Sequence, residues 1–458
     1  MNNQGQRTDL TQGPIIRKLI SFTLPILAAN IIMQLYNVAD AIIVGQFIGS
    51  DALAAVMVGF PILMLSYAIL MGLSIGANIL IAQYKGAGDF EQLEKTINSV
   101  YTLSFIISIL MAIIGVFASR PLLMLIGTPN NILNDATIYL QIVIGAGTLG
   151  NALFYMNEGM IRGMGDSRWP FFAIAIASIL NIILNLIFVI FFGWGIIGVA
   201  LATSIAFTIS GIILLFRFLK GKYEVSLSLA GLFGIDKHVT LLIFKYGIPP
   251  SVQTIVITFG MFFIQAFSNL FGSDFIAANA IIMRVDGFVV MPMFGIATAV
   301  TTFVGQNIGA GKLDRAKKGI KNSLQITTTI AIVLGAILFF FGTHLMRAFT
   351  DNLLVLEMGT NGLRFLAFFY VFMGINVCIG GAIRGAGEAN APAIIDIVSH
   401  VIRIIAAYLL AVLPFSYFGI FHSMGISMIC GFFVFLVYYK FGKWQTKGIA
   451  NAKNSEQQ

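Results

Sequence analysis

The stretch IAIASILNIILNLIFVIFF, residues 174–192, is apolar on every face of a helix, interrupted only by Ser178, Asn181 and Asn185. A spanning helix needs about 20 mainly apolar residues, and in lipid only helices and closed barrels satisfy every backbone hydrogen-bonding group. A barrel strand would alternate apolar and polar residues over about ten positions, which this stretch does not do. It therefore reads as a transmembrane helix. Comparable segments recur at about 19–45, 53–82, 97–118, 136–160, 170–192, 196–216, 241–268, 276–304, 322–342, 359–382, 393–413 and 420–439. Of the 458 residues 58% are hydrophobic and 10% charged, whereas a soluble domain has roughly a quarter charged. The expectation is an all-α polytopic membrane protein of twelve transmembrane helices.

The formal charge of +8 would raise the question of nucleic acid in a soluble protein; here topology accounts for it. With the N-terminus inside, 22 of the 27 Lys and Arg fall in the termini and the inner loops, against Arg120 and Arg347 in the outer ones. By the positive-inside rule both termini are cytoplasmic, in a multi-pass cell (inner) membrane protein. The first apolar segment is too long for a signal-peptide core and has no small-residue cleavage site, so it is expected to serve as an uncleaved insertion signal. Cys378 and Cys430 both lie within apolar spans, so neither a disulfide framework nor a cysteine metal site is readable.

The chain repeats itself. Gly49-Ser50-Asp51 recurs as Gly272-Ser273-Asp274, and Gln83 with Gly86-Ala87-Gly88 recurs as Gln306 with Gly309-Ala310-Gly311, both displaced by 223; Arg162-Gly163, Gly165-Asp166 and Pro170 recur as Arg384-Gly385, Gly387-Glu388 and Pro392, displaced by 222. Six spans separate the copies, so the two six-helix lobes share an orientation and are expected to be related by a pseudo-twofold axis along the membrane normal. The expected division is a cytoplasmic segment 1–18, a first lobe 19–220, a linker 221–240, a second lobe 241–441 and a tail 442–458. In repeat-built transporters the substrate path lies between the repeats.

The stretch around Gly311-Lys312 resembles a phosphate loop but has Leu313 where Ser or Thr is required; it reads as a glycine turn ending a helix, and no ATP hydrolysis is expected. The four His are too scattered for a metal site, so no catalytic residue, cofactor or metal is expected. Ionisable groups within spans are functional candidates because each is costly there. Asp40 shares a face of span 1 with Tyr36 and Asn37. At about 1.5 Å rise per residue, Asn181 and Asn185 of span 5 and Thr203 of span 6 reach a similar depth in the outer half of the first lobe. A carboxylate, two amide oxygens and a hydroxyl suit a small hard cation, or a proton on Asp40; alternatively Asp40 holds the helices in register. Asp40, Asn181, Asn185 and Thr203 are the ion-coupling candidates, with Met33, Tyr36 and Asn37 the candidates for the substrate cavity.

A second polar group comprises Arg284 and Asp286 on span 8, Arg364 on span 10, and Asp396, His400 and Arg403 on one face of span 11. Asp286 and Arg403 lie near mid-depth and are expected to pair; the alternative for this group is a polar relay or a substrate contact. Met57, Met64 and Met71 repeat every seven residues along span 2, with Phe60 and Tyr67 between them, a stripe read as helix packing or as the wall of an adaptable cavity. Pro25 and Pro249 mark possible bends in the first span of each lobe.

With these residues assembled, the chain resembles the multidrug and toxic compound extrusion (MATE) antiporters along essentially its whole length. The resemblance rests on Leu35-Tyr36-Asn37 with Asp40, Gly45 and Gly49, and on the turn motifs at Gln83, Arg162, Gln306-Asn307 and Arg384. It implies two six-helix lobes that export lipophilic, often cationic, small molecules in exchange for H+ or Na+, as a monomer in the bilayer without nucleic acid or ATP. Asp40 matches the family's first-span acidic residue, and Asn181 and Thr203 match polar positions of its first-lobe ion site. Asn185 stands where some members have a second carboxylate, which would weaken sodium binding relative to protons. Spans 7 and 10 contain no Asp or Glu, which argues against the second-lobe ion site of another branch. The second-lobe arginines favour a neutral or anionic substrate, and the alternative readings are a lipid-linked oligosaccharide flippase or an exporter of neutral or anionic metabolites. An intramembrane enzyme would need a nucleophile beside Asp396 and His400, and the sequence places none there.

Overall fold

The computed structural model describes residues 9–220, 223, 225 and 234–448; most of the expected linker, and the outer parts of the expected N-terminal segment and tail, lie outside the described residues. Among those described there is no strand, and ten helices are long and apolar enough to cross a membrane, or twelve spans when two bent helix pairs are each taken as one. In chain order these are α1 Ile15–Ile43, α2 Ser50–Ala87, α3 Phe90–Leu125, α4 Asn130–Leu140 and Thr148–Gly163, α5 Arg168–Asn185, α6 Gly195–Leu219, α7 Lys237–Asn269, α8 Gly272–Gly309, α9 Leu313–Arg347, α10 Leu353–Ala367 and Tyr370–Gly385, α11 Asn390–Ala407 and α12 Phe418–Phe441. A 3₁₀ turn, Lys443–Thr446, follows α12.

The internal repeat is visible in the irregularities. α4 and α10, read from sequence as continuous spans, bend by 53° and 51° at matching positions. In α4 a π-helical segment, Gln141–Ala146, precedes the bend, and widening of the helix there loosens its hydrogen-bond ladder. α5 and α11 each run into a π turn, Leu186–Phe191 and Tyr408–Val412, starting 222 residues apart. The α2–α3 and α8–α9 turns place Gly88 and Gly311 at φ +69°, the left-handed conformation a side chain resists, as expected of helix-ending glycines. Asp166 and Glu388 cap α5 and α11 through the backbone N–H groups of Arg168 and Asn390. α1 and α7 continue through Pro25, Pro249 and Pro250 without a break in the helix.

Lipid provides little hydrophobic drive between helices, so close packing and interhelical hydrogen bonds hold the lobes together. In the first lobe Ser74 donates to the Tyr155 carbonyl at 2.6 Å, Asn78 to the Gly159 carbonyl at 3.1 Å and Lys85 to the Met164 carbonyl at 2.6 Å, lacing α2 to α4. In the second, Thr301 donates to the Gly381 carbonyl at 2.9 Å between α8 and α10.

By contact density the chain divides into one unit that includes Leu24–Ser251 and another that includes Thr11–Thr23 and the residues from Val252 onward. The boundaries thus fall inside α1 and α7, next to their prolines. The start of α7 packs on α2 within the first unit through glycines. A Cβ at Gly72 would lie 2.6 Å from the Gly247 carbonyl oxygen and one at Gly76 2.8 Å from the Gly247 nitrogen, too close for any side chain. Gly72→Val and Gly76→Val are therefore expected to destabilise the protein by roughly 1–3 kcal/mol through overpacking, measured as a lower thermal unfolding midpoint of the detergent-solubilised protein, whereas Gly260→Ala, with space around it, leaves the midpoint unchanged.

Candidate functional site

Three elements of the first lobe bring polar side chains together, two of them just before their helical geometry changes. Asp40 lies one turn before the π turn Val44–Ile48 that ends the first span, and Asn185 is the last α-helical residue of α5 before its own π turn. Such insertions recur at functional sites because they rotate the register of side chains and free backbone groups. Thr203 faces them from the first half of α6.

The side chains form a continuous chain of hydrogen bonds. Asn185 Nδ2 donates to Asp40 Oδ1 at 2.7 Å and to Asn181 Oδ1 at 2.8 Å. Asn181 Nδ2 donates to Thr203 Oγ1 at 3.2 Å. Thr203 Oγ1 is 3.4 Å from the Tyr36 hydroxyl, and Tyr36 lies one turn before Asp40 on α1, so the chain closes into a ring across α1, α5 and α6. Asn185, Asn181 and Thr203 are 0%, 1% and 5% exposed. Asn185 uses both amide protons, yet its Oδ1 is buried without a hydrogen-bond partner. A buried acceptor without a donor is costly.

All four residues singled out for ion coupling are thus brought together, and Tyr36 joins them. Asn37 does not: it is exposed and donates to Gln34 at 3.4 Å, because a position three residues before Asp40 on α1 lies to one side of the Tyr36–Asp40 line. Met33 is half-buried one turn before Asn37. Three tyrosines complete the surroundings: Tyr139 of α4 lies within electrostatic range of Asp40 and Tyr36, and Tyr67 of α2 lies within range of Tyr36 and 5.8 Å from the Tyr155 ring. Tyr139 was missed because nothing in its own span points to span 1; the available signal was a polar-tipped aromatic in an apolar run. Tyr67 belonged to the methionine stripe.

The second-lobe group is arranged differently from the expectation. Asp286 and Arg403 form no salt bridge. Tyr370 of α10 donates its hydroxyl to Asp286 Oδ1 at 2.6 Å, while Arg403 remains in the field of Asp286 with its Nε buried and unpartnered. Similar depth in the membrane did not ensure contact, because a third helix reaches the carboxylate first. Asp396 accepts from Gln253 of α7 at 2.6 Å, and Gln253 Oε1 accepts from Arg384 at 3.2 Å. His400 Nδ1 is 2.9 Å from the Asp396 backbone carbonyl. Arg284 is exposed on another face of α8, since residues two apart on a helix do not share a face. Arg364 bonds the Phe339 carbonyl at 3.2 Å, away from the group. Among the described residues no three His, Cys, Asp or Glu side chains gather as a metal site.

A multi-span helical fold built from two repeats, with a buried polar ring in the first, defines a membrane protein of the repeat-built transporter class. The family model described as MatE matches residues 25–187 and again 249–409, together more than half of the chain, and the chain belongs to the MATE family of multidrug efflux transporters. It is 28% identical over 445 residues to the probable multidrug resistance protein YpnP of Bacillus subtilis, covering 97% of this chain and 99% of that one. It is 26% identical over 451 residues to the probable multidrug resistance protein NorM of Thermotoga maritima, covering 95% of each. Its fold matches the outward-facing structure of a MATE transporter with a TM-score of 0.88 at 23% identity, covering 96% and 98% of the two chains.

Tyr370→Phe removes the one hydrogen bond to the Asp286 carboxylate. It is expected to cost about 1.5–3 kcal/mol, the range for hydrogen bonds to charged groups, read as a fall in the thermal midpoint of the purified protein; an unchanged midpoint would mean that Asp286 is held by another group.

Proposed function

We propose that this chain is a secondary active transporter that exports lipophilic compounds in exchange for protons or sodium ions, with Asp40 coupling the two movements. The observation that carries this reading is the ring from Asp40 through Asn185, Asn181 and Thr203 to Tyr36, with the orphaned Asn185 Oδ1 beside the carboxylate. Ionised Asp40 accepts the Asn185 amide. Protonated Asp40 becomes a donor and requires an acceptor, and a half-turn of the Asn185 amide offers Oδ1 at the cost of its bond to Asn181. A sodium ion would instead draw on the Asp40 carboxylate, the amide oxygens and the Thr203 hydroxyl; with only one carboxylate, the set favours the proton. Either ion changes the bonding between α1 and α5 and so shifts which arrangement of α1, α5 and α6 is favoured. That shift is limited by the ion's differential affinity for the two arrangements, about 1.4 kcal/mol per tenfold.

This reading places the chain in the cell membrane with both termini in the cytoplasm, in keeping with the distribution of Lys and Arg, and working as a monomer. A second reading, export of neutral or anionic compounds, draws support from the buried, unpartnered Nε of Arg403 in the second lobe.

The test is dye uptake into proteoliposomes under proton and sodium gradients imposed separately. Asp40→Asn is expected to insert and fold normally yet lose gradient-driven accumulation, and Asn181→Ala to reduce it only partly, since it removes an oxygen and leaves the charge. Accumulation by Asp40→Asn against a gradient at the wild-type rate would place coupling elsewhere.

A further inference from the structure

At one end of the second lobe a groove of about 610 Å³ opens along α9 and is closed on one side by Tyr439 of α12. Its lining surface is mainly apolar, from Leu324, the Tyr439 ring and side-chain stems, and carries the polar tips of Lys317, Lys321, Gln325, Thr328 and Thr329. Lys317, Lys321, Gln325 and Thr329 recur every four residues and so lie on one face of the helix, extending roughly 18 Å along its axis at about 1.5 Å per residue. Lys321, Gln325 and Thr329 are exposed. An outward-facing Gln and Thr within the apolar part of a spanning helix, below two lysines, form an unusual surface to present to hydrocarbon.

The Tyr439 wall is built rather than incidental. Its ring stacks on Trp444 at 5.3 Å and 14°, and Trp444, 1% exposed, donates its indole N–H to the Tyr439 carbonyl at 2.8 Å. Deeper in the span, one turn past Thr329 and one turn before Tyr439, Ile332 and Leu436 expose apolar surface.

The first repeat provides an internal comparison. By the offset of 223, Lys317, Lys321, Gln325, Thr328 and Thr329 correspond to Glu94, Asn98, Thr102, Phe105 and Ile106, so the lysines are absent and the deeper positions are apolar. Part of the matching face of α3 is also occupied, since Thr102 donates to the Gly234 carbonyl at 3.1 Å, while Phe105 and Ile106 expose apolar surface. The basic groove is therefore particular to the second repeat and is not a requirement of the fold.

We infer that this groove binds an anionic phospholipid. The two lysines offer compact positive charge to the phosphate, with stems that lie along apolar surface. Gln325, Thr328 and Thr329 offer donors to the glycerol and ester oxygens, and the acyl chains run over Ile332 and Leu436. Basic pockets beside transmembrane helices bind acidic head groups in this way, and Tyr439 lies at the interfacial depth that tyrosine favours. The charge on the wall, the polar rows beneath it and the apolar surface deeper still follow the order of a phospholipid from phosphate to tail.

The test is thermal unfolding of the intact chain in detergent, titrated with phosphatidylglycerol and, separately, with phosphatidylcholine. The wild type is expected to be stabilised selectively by phosphatidylglycerol. In Lys317→Gln/Lys321→Gln the half-saturating amount rises about 30-fold, or about 2 kcal/mol for two lysines at 1.4 kcal/mol per tenfold. Lys318→Gln/Lys237→Gln, which removes the same charge outside the groove, behaves as wild type. Equal stabilisation by the two lipids, or retained selectivity in Lys317→Gln/Lys321→Gln, overturns the assignment. So does an equal shift with inorganic phosphate alone, which would make the ligand a free anion, or the same loss in a chain ending at Gly448, which would place the lipid contact on the tail.

Discussion

A peptide group in hydrocarbon has no water to turn to, so each segment that crosses the membrane must satisfy its own backbone. That constraint makes every described span a helix and gives meaning to the few places where the α-helical ladder changes. The bends of α4 and α10 and the π turns after α5 and α11 fall at matching positions of the two repeats, although LIFVIF and YLLAV share little sequence. These paired departures therefore belong to the shared scaffold, whereas the π turn Val44–Ile48 after Asp40 and the π segment Gln141–Ala146 have no counterpart in the second repeat among the described residues, and the polar ring is likewise an addition to one copy. By the repeat offsets Asp40, Tyr36, Asn185 and Thr203 correspond to Phe263, Phe259, Ala407 and Gly425, while Asn181 corresponds to Arg403. The second repeat keeps the π turn and replaces the ring with apolar residues and a single cation.

Much of this was legible in the sequence because the signals were local or periodic. The length of the apolar runs gave the spans, the offset motifs gave the repeat, and depth along each span brought Asp40, Asn181, Asn185 and Thr203 to a common level. Depth is one coordinate of three. It placed Asp286 and Arg403 together when Tyr370 reaches the carboxylate. Gln253 and Tyr370 were not legible, since each is a neutral residue in an apolar run whose partner lies on a helix distant in sequence. The π turns were not legible either, since LIFVIF and YLLAV adopt the same geometry with little sequence in common.

The two lobes differ in how they hold buried charge. In the first, Glu158 and Arg162 pair at 2.6 Å on one helix and Asp166 meets Arg217 of α6 at 3.8 Å, while the Asp40 carboxylate accepts from a neutral amide, that of Asn185. In the second, Asp286, Asp396, Arg384 and Arg403 are dispersed over α8, α10 and α11; Tyr370 bonds Asp286, and Gln253 joins Asp396 to Arg384. A charge paired within its own helix is indifferent to movements of its neighbours. Charges linked through a neutral group on another helix are sensitive to them, so Gln253 ties α7 to both α10 and α11 in the second lobe, while in the first the Asp40 carboxylate is tied to α5 through the Asn185 amide.

The boundaries inside α1 and α7 bear on how such a chain can be divided. The first unit takes the opening of α7 as a packing element against Gly72 and Gly76, and the second takes residues 11–23. A gene cut at the linker would yield two halves, each lacking a piece of its own core and carrying a piece of the other's. An ancestral protein of one repeat, acting as a pair, would by the same token have been a segment-swapped dimer, and fusion of its two copies would have turned an exchange between molecules into one within a single chain.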